Sequence, residues 1–190
     1  MSLAAVAEQT GLTGEARVLH RRPELIQDLI WLPPSGSSRE GDSVRKVLFS
    51  FYNGQLFRIL IDYDRRRTEG LTVGDMVEAL SATYGVATLP ITEGMRSLTP
   101  VSHATDKVLA SWEDPQSSIT LFRSSYQSAF GLVVLSKQLD DLARVATAQA
   151  VLMDREQAPQ GEIEHQQKVF EDARVKEAHA RVVNKVTFRP

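Results

Sequence analysis

A chain of 190 residues, 42% hydrophobic and 24% charged, has enough apolar content for a real core and the profile of an ordinary globular protein of one or two small domains. Its net charge of -2 supplies no bulk positive field for a phosphate backbone, which disfavours sequence-independent nucleic-acid binding; a local patch such as Arg65-Arg66-Arg67 reads as solvated charges at a strand end. No apolar run approaches the ~20 residues of a membrane span, and the absence of Cys removes disulfides, thiol chemistry and Cys-based zinc sites together.

In chain order, Met1-Ser2-Leu3 opens directly onto Ala4-Ala5-Val6 as if inside a helix, as an expression scar on a truncated chain would. A signal or lipid-attachment segment ahead of it would make the protein extracytoplasmic, periplasmic or envelope-attached; otherwise it is cytoplasmic. The short helix closes on Gly11. Between Glu24 and Leu32 the spacing of Leu25, Ile26, Leu29 and Ile30 fits a helix, whereas Pro33-Pro34 and an internal repeat favour a strand, the reading adopted here. Ser35 to Asp42 reads as a polar loop.

The clearest local signal is the hairpin from Val47 to Tyr63, turning at Asn53-Gly54 in a type I′ turn where both central residues need positive φ. A regular two-residue hairpin predicts Phe51 opposite Leu56, Phe49 opposite Arg58, Val47 opposite Leu60 and Arg45 opposite Asp62. Ser50 with Phe57, Leu48 with Ile59 and Lys46 with Ile61 then form the second face. Both faces are largely apolar, so each requires a cover. One cover is a helix whose Thr72 and Asp75 form a capping box, whose Met76, Leu80 and Tyr84 make a core-facing stripe, and which ends at Gly85. Pro90 and the stretch Thr92 to Asp106 form a long connection to the strand around Val108 to Trp112. Ile119 to Phe122 and Phe130 to Leu135 follow. Beyond Ser136 an amphipathic helix carries Leu139, Leu142, Val145 or Ala146, and Leu152 or Met153, and Pro159-Gln160-Gly161 breaks it. A second, more charged helix spans Glu162 to about Asn184, with Ile163, Phe170, Ala173 and Ala180 on one face.

The same order of elements recurs. Ala4 to Tyr63 contains Gly11, Trp31 and two apolar strands; Thr72 to Leu135 contains Gly85, Trp112 and two apolar strands. The expected fold is α+β. Residues 1-136 form a duplicated domain of two tandem helix-plus-antiparallel-strand repeats, about 4-63 and 72-135, sharing one sheet with helices on one face. Residues 137-190 form a C-terminal helical extension.

Catalytic signatures are sparse. The chain has no glycine-rich phosphate loop, no Gly-x-Ser-x-Gly elbow and no His-Glu-x-x-His. His20, His103, His165 and His179 lack ligand spacing. Ser102-His103 with Asp106 are sequence neighbours, which rarely build a triad. Asp62 and Asp64 lie beside Arg65 and opposite Arg45, where charge pairing is the simplest account.

Thr72-x-x-Asp75 to Tyr84-Gly85, the Trp112 strand and the two Trp-strand-hairpin runs resemble the tandem helix-plus-three-strand units of the β-lactamase-inhibitor-protein-like fold, and its single-unit relatives, the small outer-membrane assembly lipoproteins, over roughly Ala4 to Leu135. The resemblance implies a sheet surface that recognises other proteins, action outside the cytoplasm and no catalytic residues. The expected function is that of a non-catalytic bacterial interaction or scaffold module. No cofactor and no metal are expected, and the partner is a protein or a second copy. The candidate interaction surface is Ile163, Phe170 and Ala173. The alternative is a small-ligand binder or enzyme with its pocket between the repeats.

Overall fold

The computed structural model describes residues 1-12, 16-33, 43-90, 106-124 and 129-187, and the side chains within these except 156-167 and 178-187. The loop expected at Ser35 to Asp42 and most of the connection before β-strand Val108 to Trp112 lie outside the described residues. The chain divides into two compact units, Met1–Thr147 and Ala148–Pro190.

Within the first unit, helix α1 (Leu3–Thr10) starts where the Ser2 hydroxyl accepts a hydrogen bond from the Ala5 amide at 3.3 Å, and it ends at Gly11 in the left-handed region. The amide of Leu3 donates to Gly54 O and that of Leu56 to Met1 O, which ties the start of α1 to the hairpin that follows. Seven strands then build one antiparallel sheet: β1 (Arg17–His20), β2 (Ile26–Trp31), β3 (Val44–Tyr52), β4 (Gln55–Tyr63), β5 (Lys107–Glu113), β6 (Ser117–Arg123) and β7 (Phe130–Ser136). Their order across the sheet is β1-β2-β3-β4-β7-β6-β5, so β4 and β7 meet at its centre. The segment around Trp31 is a strand, and the four-residue edge strand β1 had no sequence signal strong enough to expect it.

At the β3-β4 turn Asn53 has φ 47° and Gly54 φ 75°, as a type I′ turn requires. The Asn53 side chain does more than tolerate positive φ. Its Oδ1 accepts from the Leu25 amide at 3.0 Å and its Nδ2 donates to Glu24, fastening the turn to the start of β2. The predicted hairpin register holds at Phe51 opposite Leu56 and then fails. Ser50 pairs with Arg58, Phe49 with Ile59, Leu48 with Leu60, Val47 with Ile61 and Lys46 with Asp62. A one-residue bulge at Phe57 causes the slip. The bulge lets Phe57 join Ile26, Tyr52, Leu139 and Ala143, while Ile61 packs with the second helix. A regular hairpin would have set Arg58 against Phe49, among residues that pack on α1.

Helix α2 (Val73–Tyr84) has the predicted capping box: Asp75 N–H donates to Thr72 Oγ1 at 3.2 Å, and Thr72 N–H donates to Asp75 Oδ2 at 2.7 Å. Met76 packs with Ala110, Trp112, Leu121, Phe130 and Leu132, and Val6 of α1 packs with Leu29 and Phe51. At the far end of α2, Gly85 takes φ 88°, and its carbonyl accepts the Trp112 indole N–H at 3.0 Å, which fixes the helix end to β5.

Helix α3 (Lys137–Thr187) corrects the expectation of two helices broken at Pro159-Gln160-Gly161: one helix runs through all three. A proline removes one main-chain hydrogen bond, and the Ala-, Gln-, Glu-, Lys- and Arg-rich sequence on both sides keeps high helical propensity. Its first turns belong to the first compact unit, which runs to Thr147.

Candidate functional site

Two features stand out, one in each compact unit. In the first unit, Asp28 of β2 pairs with Ser50 of β3, Ser50 with Arg58 of β4, Arg58 with Leu135 of β7 and Leu135 with Ser118 of β6. Paired residues share a face, so a polar row crosses an otherwise apolar surface. The row exists because of the bulge at Phe57, which brings Arg58 onto the face that carries Ser50. Arg58 Nη2 donates to Ser50 Oγ at 3.3 Å and its guanidinium carbon sits 5.8 Å from the Phe57 ring centre. Asp28 Oδ1, Arg58 Nε and Ser118 Oγ are buried without a hydrogen-bond partner among the described residues.

Asp140, in the first turn of α3, is 5% exposed. Burial pushes its carboxyl above the usual carboxylate range, against the opposing pull of the Arg58 and Arg144 guanidinium groups, with Asp141 adding to the rise. Chemically this group can keep a proton longer than a free Asp, and Arg58 can donate hydrogen bonds. The Ser50 hydroxyl accepts from Arg58 and faces Asp28 across the β2-β3 pair. Among the described residues no three His, Asp or Glu side chains converge as metal ligands. Sequence reasoning missed this row. Its signal was an acidic residue at helical spacing between Leu139 and Ala143, and an Arg within an apolar strand, both legible only once the register is known.

Two further carboxylates have partners of their own. Asp62 accepts from Arg45 and forms an ion pair with Lys46, each at 3.3 Å, and Asp64 Oδ1 accepts the amides of Arg66 and Arg67. Ser102 and His103 lie outside the described residues, as do the side chains of His165 and His179; His20 is on the edge strand β1.

The second feature is the helix of the second unit. Phe170 is 72% exposed, Val175 63% and Val169 55%, and Ala173 is also exposed. Ile163 lies on the same helix, its side chain outside the description. No helix among the described residues is long and apolar enough to cross a membrane. No protein-family model matches the chain, and neither the curated proteins nor the solved structures give a match.

Proposed function

We propose that the protein is a non-catalytic interaction or scaffold module of bacterial type, and that it binds another polypeptide through the apolar side chains of α3 in the second unit. The observation that carries this reading is Phe170 at 72% exposure flanked by exposed Val169 and Ala173. A large aromatic with aliphatic neighbours on one helix is the pattern of a helix that docks against a partner. Phe170→Glu in the full chain should abolish partner binding in a pull-down and leave the circular dichroism of the sheet unchanged. Undiminished binding by that variant would sink the reading.

The tandem repeat expected from sequence is proposed as the origin of the sheet on which this module is built, in the architecture of the β-lactamase-inhibitor-protein-like fold. Its support is the register. The β4-β7 ladder is centred on Leu60 opposite Val133; stepping outward through Leu48 to Ile30 on one side and Thr120 to Ser111 on the other reaches the residues just before Trp31 and Trp112. A two-fold axis at the centre would thus superimpose the two Trp positions, and it would place α1 and α2 on one face. An experimental structure with Trp31 and Trp112 on opposite faces would end this interpretation.

A further inference from the structure

Asn53-Gly54 carries a chemistry of its own besides its turn geometry. Asparagine is a thermolabile residue, because the main-chain nitrogen of the next residue can attack its side-chain carbonyl carbon and close a succinimide ring. Glycine in that next place removes the obstacle a side chain would set. A Cβ built on Gly54 would meet nothing within 4 Å, so water and hydroxide reach the peptide. The chain's other asparagine, Asn184, precedes Lys185 and lacks this freedom.

The fold holds this reaction off. Asn53 Oδ1 accepts from the Leu25 amide at 3.0 Å, its Nδ2 donates to the Glu24 carboxylate, and its own main-chain amide donates to Leu25 O at 2.8 Å. The carboxamide is therefore pinned through both its oxygen and its nitrogen towards the start of β2. Its carbon meets the Gly54 nitrogen in an attacking geometry only after these side-chain bonds break. Both lie at the surface, where local opening costs far less than global unfolding.

We infer that Asn53 is a site of spontaneous modification, converted to a carboxylate by attack of the Gly54 nitrogen when the turn opens, and that the new charge, facing Glu24, keeps the turn from refastening to β2. In the first step hydroxide takes the Gly54 amide proton and the nitrogen bonds to Asn53 Cγ. The Cγ–Nδ2 bond breaks, and Nδ2 takes a proton from water and leaves as ammonia. Water then adds to either ring carbonyl and breaks its bond to nitrogen, which regains its proton. Opening at Cγ gives an aspartyl unit and opening at the main-chain carbonyl an isoaspartyl one; no oxidant or reductant takes part. The product lacks the donor that met Glu24 and places two carboxylates in that contact. The isoaspartyl form also adds a carbon to the main chain inside a two-residue turn. Leu25 precedes Ile26, which is 4% exposed and packs with Phe57 and Ala143, so the loosening reaches the core.

The full chain, folded and in urea, is held at mildly alkaline pH while mass spectrometry follows the amide-to-acid mass gain in the tryptic peptide Val47 to Arg58, with Asn184 as the internal reference. In urea Asn53 should convert far faster than Asn184. Folding should slow Asn53 roughly tenfold or more, and Glu24→Ala should return much of that rate to the folded chain without altering the rate in urea. Asn53→Asp, which installs the aspartyl product, should lower the melting temperature, and Glu24→Gln in that background should recover most of the loss by supplying a donor. Conversion of Asn53 no faster than that of Asn184 in urea overturns the site. Equal rates for the folded and the urea-unfolded parent, or a folded Glu24→Ala rate equal to the parent's, overturn the gating by the turn. An Asn53→Asp variant that melts with the parent, or that Glu24→Gln fails to restore, overturns the lasting effect on β2.

Discussion

Gly131 of β7 lies directly beneath the ring of Phe122, its register partner on β6. A Cβ at residue 131 would come within 2.7 and 2.8 Å of the two ring Cε atoms and closer still to Cζ. The ring cannot step aside cheaply, because Phe122 is 2% exposed and packed with Leu60, Val133 and Leu135. Gly131 does not occupy the left-handed region, so Gly131→Ala should gain ~0.4-1 kcal/mol from the stiffer unfolded chain and lose roughly 1-3 kcal/mol by overpacking. The net expectation is a loss of about 1-2 kcal/mol. In a Phe122→Leu background the Cβ meets a smaller side chain, and the same substitution should become neutral or slightly stabilising. Urea unfolding followed by Trp fluorescence and circular dichroism, with m unchanged, reads both values as a double-mutant cycle. A Gly131→Ala variant within ~0.3 kcal/mol of the parent, or an equal loss in both backgrounds, would show that the ring does not depend on the missing Cβ.

Asn53→Val should cost more than 1 kcal/mol, since it puts a β-branched residue at φ 47° and removes the bonds to Leu25 and Glu24; Asn53→Gly, which loses only those bonds, should be milder, and equal melting temperatures for the two variants would count against the strain. Thr72→Ala should cost ~1 kcal/mol by removing the acceptor of the Asp75 amide, a loss that chemical denaturation would detect, and an unchanged midpoint would remove the cap from the account of α2. Asp140 has a folded-state carboxyl raised above its ordinary value, so its contribution is fully present below the unfolded value near 3.8 and is lost as pH rises through the folded one. Asp140→Asn should therefore gain stability relative to the parent as pH rises from 3 to 7, and a pH-independent difference between the two would refute the burial argument. Asp75 and Asp114 are lowered instead, by the Thr72 amide and hydroxyl at Asp75 and by Ser117 and Gln116 at Asp114, so their contributions are present above 3.8 and are lost as pH falls through their folded values.

Local chemistry carried a good part of this architecture. Asn53-Gly54, the Thr72 to Asp75 box and the glycines at 11 and 85 act over three or four residues, where turn and cap preferences are settled before any long-range contact forms. The apolar runs of β3, β4, β6 and β7 were legible for the same reason. Tertiary structure decided the rest. The hairpin's sequence permits a regular register, and only the competing demands of the two sheet faces select the bulge that turns Phe57 towards Ala143 and Arg58 towards Ser50. The polar row across β2, β3, β4 and β6 follows from that slip, because residues as far apart in sequence as Arg58 and Leu135 meet only through the sheet. Pro159 and Gly161 read as a helix break because their cost is local, yet the helical sequence on both sides carries α3 through them, so a propensity of a few kcal/mol in one turn did not determine the element.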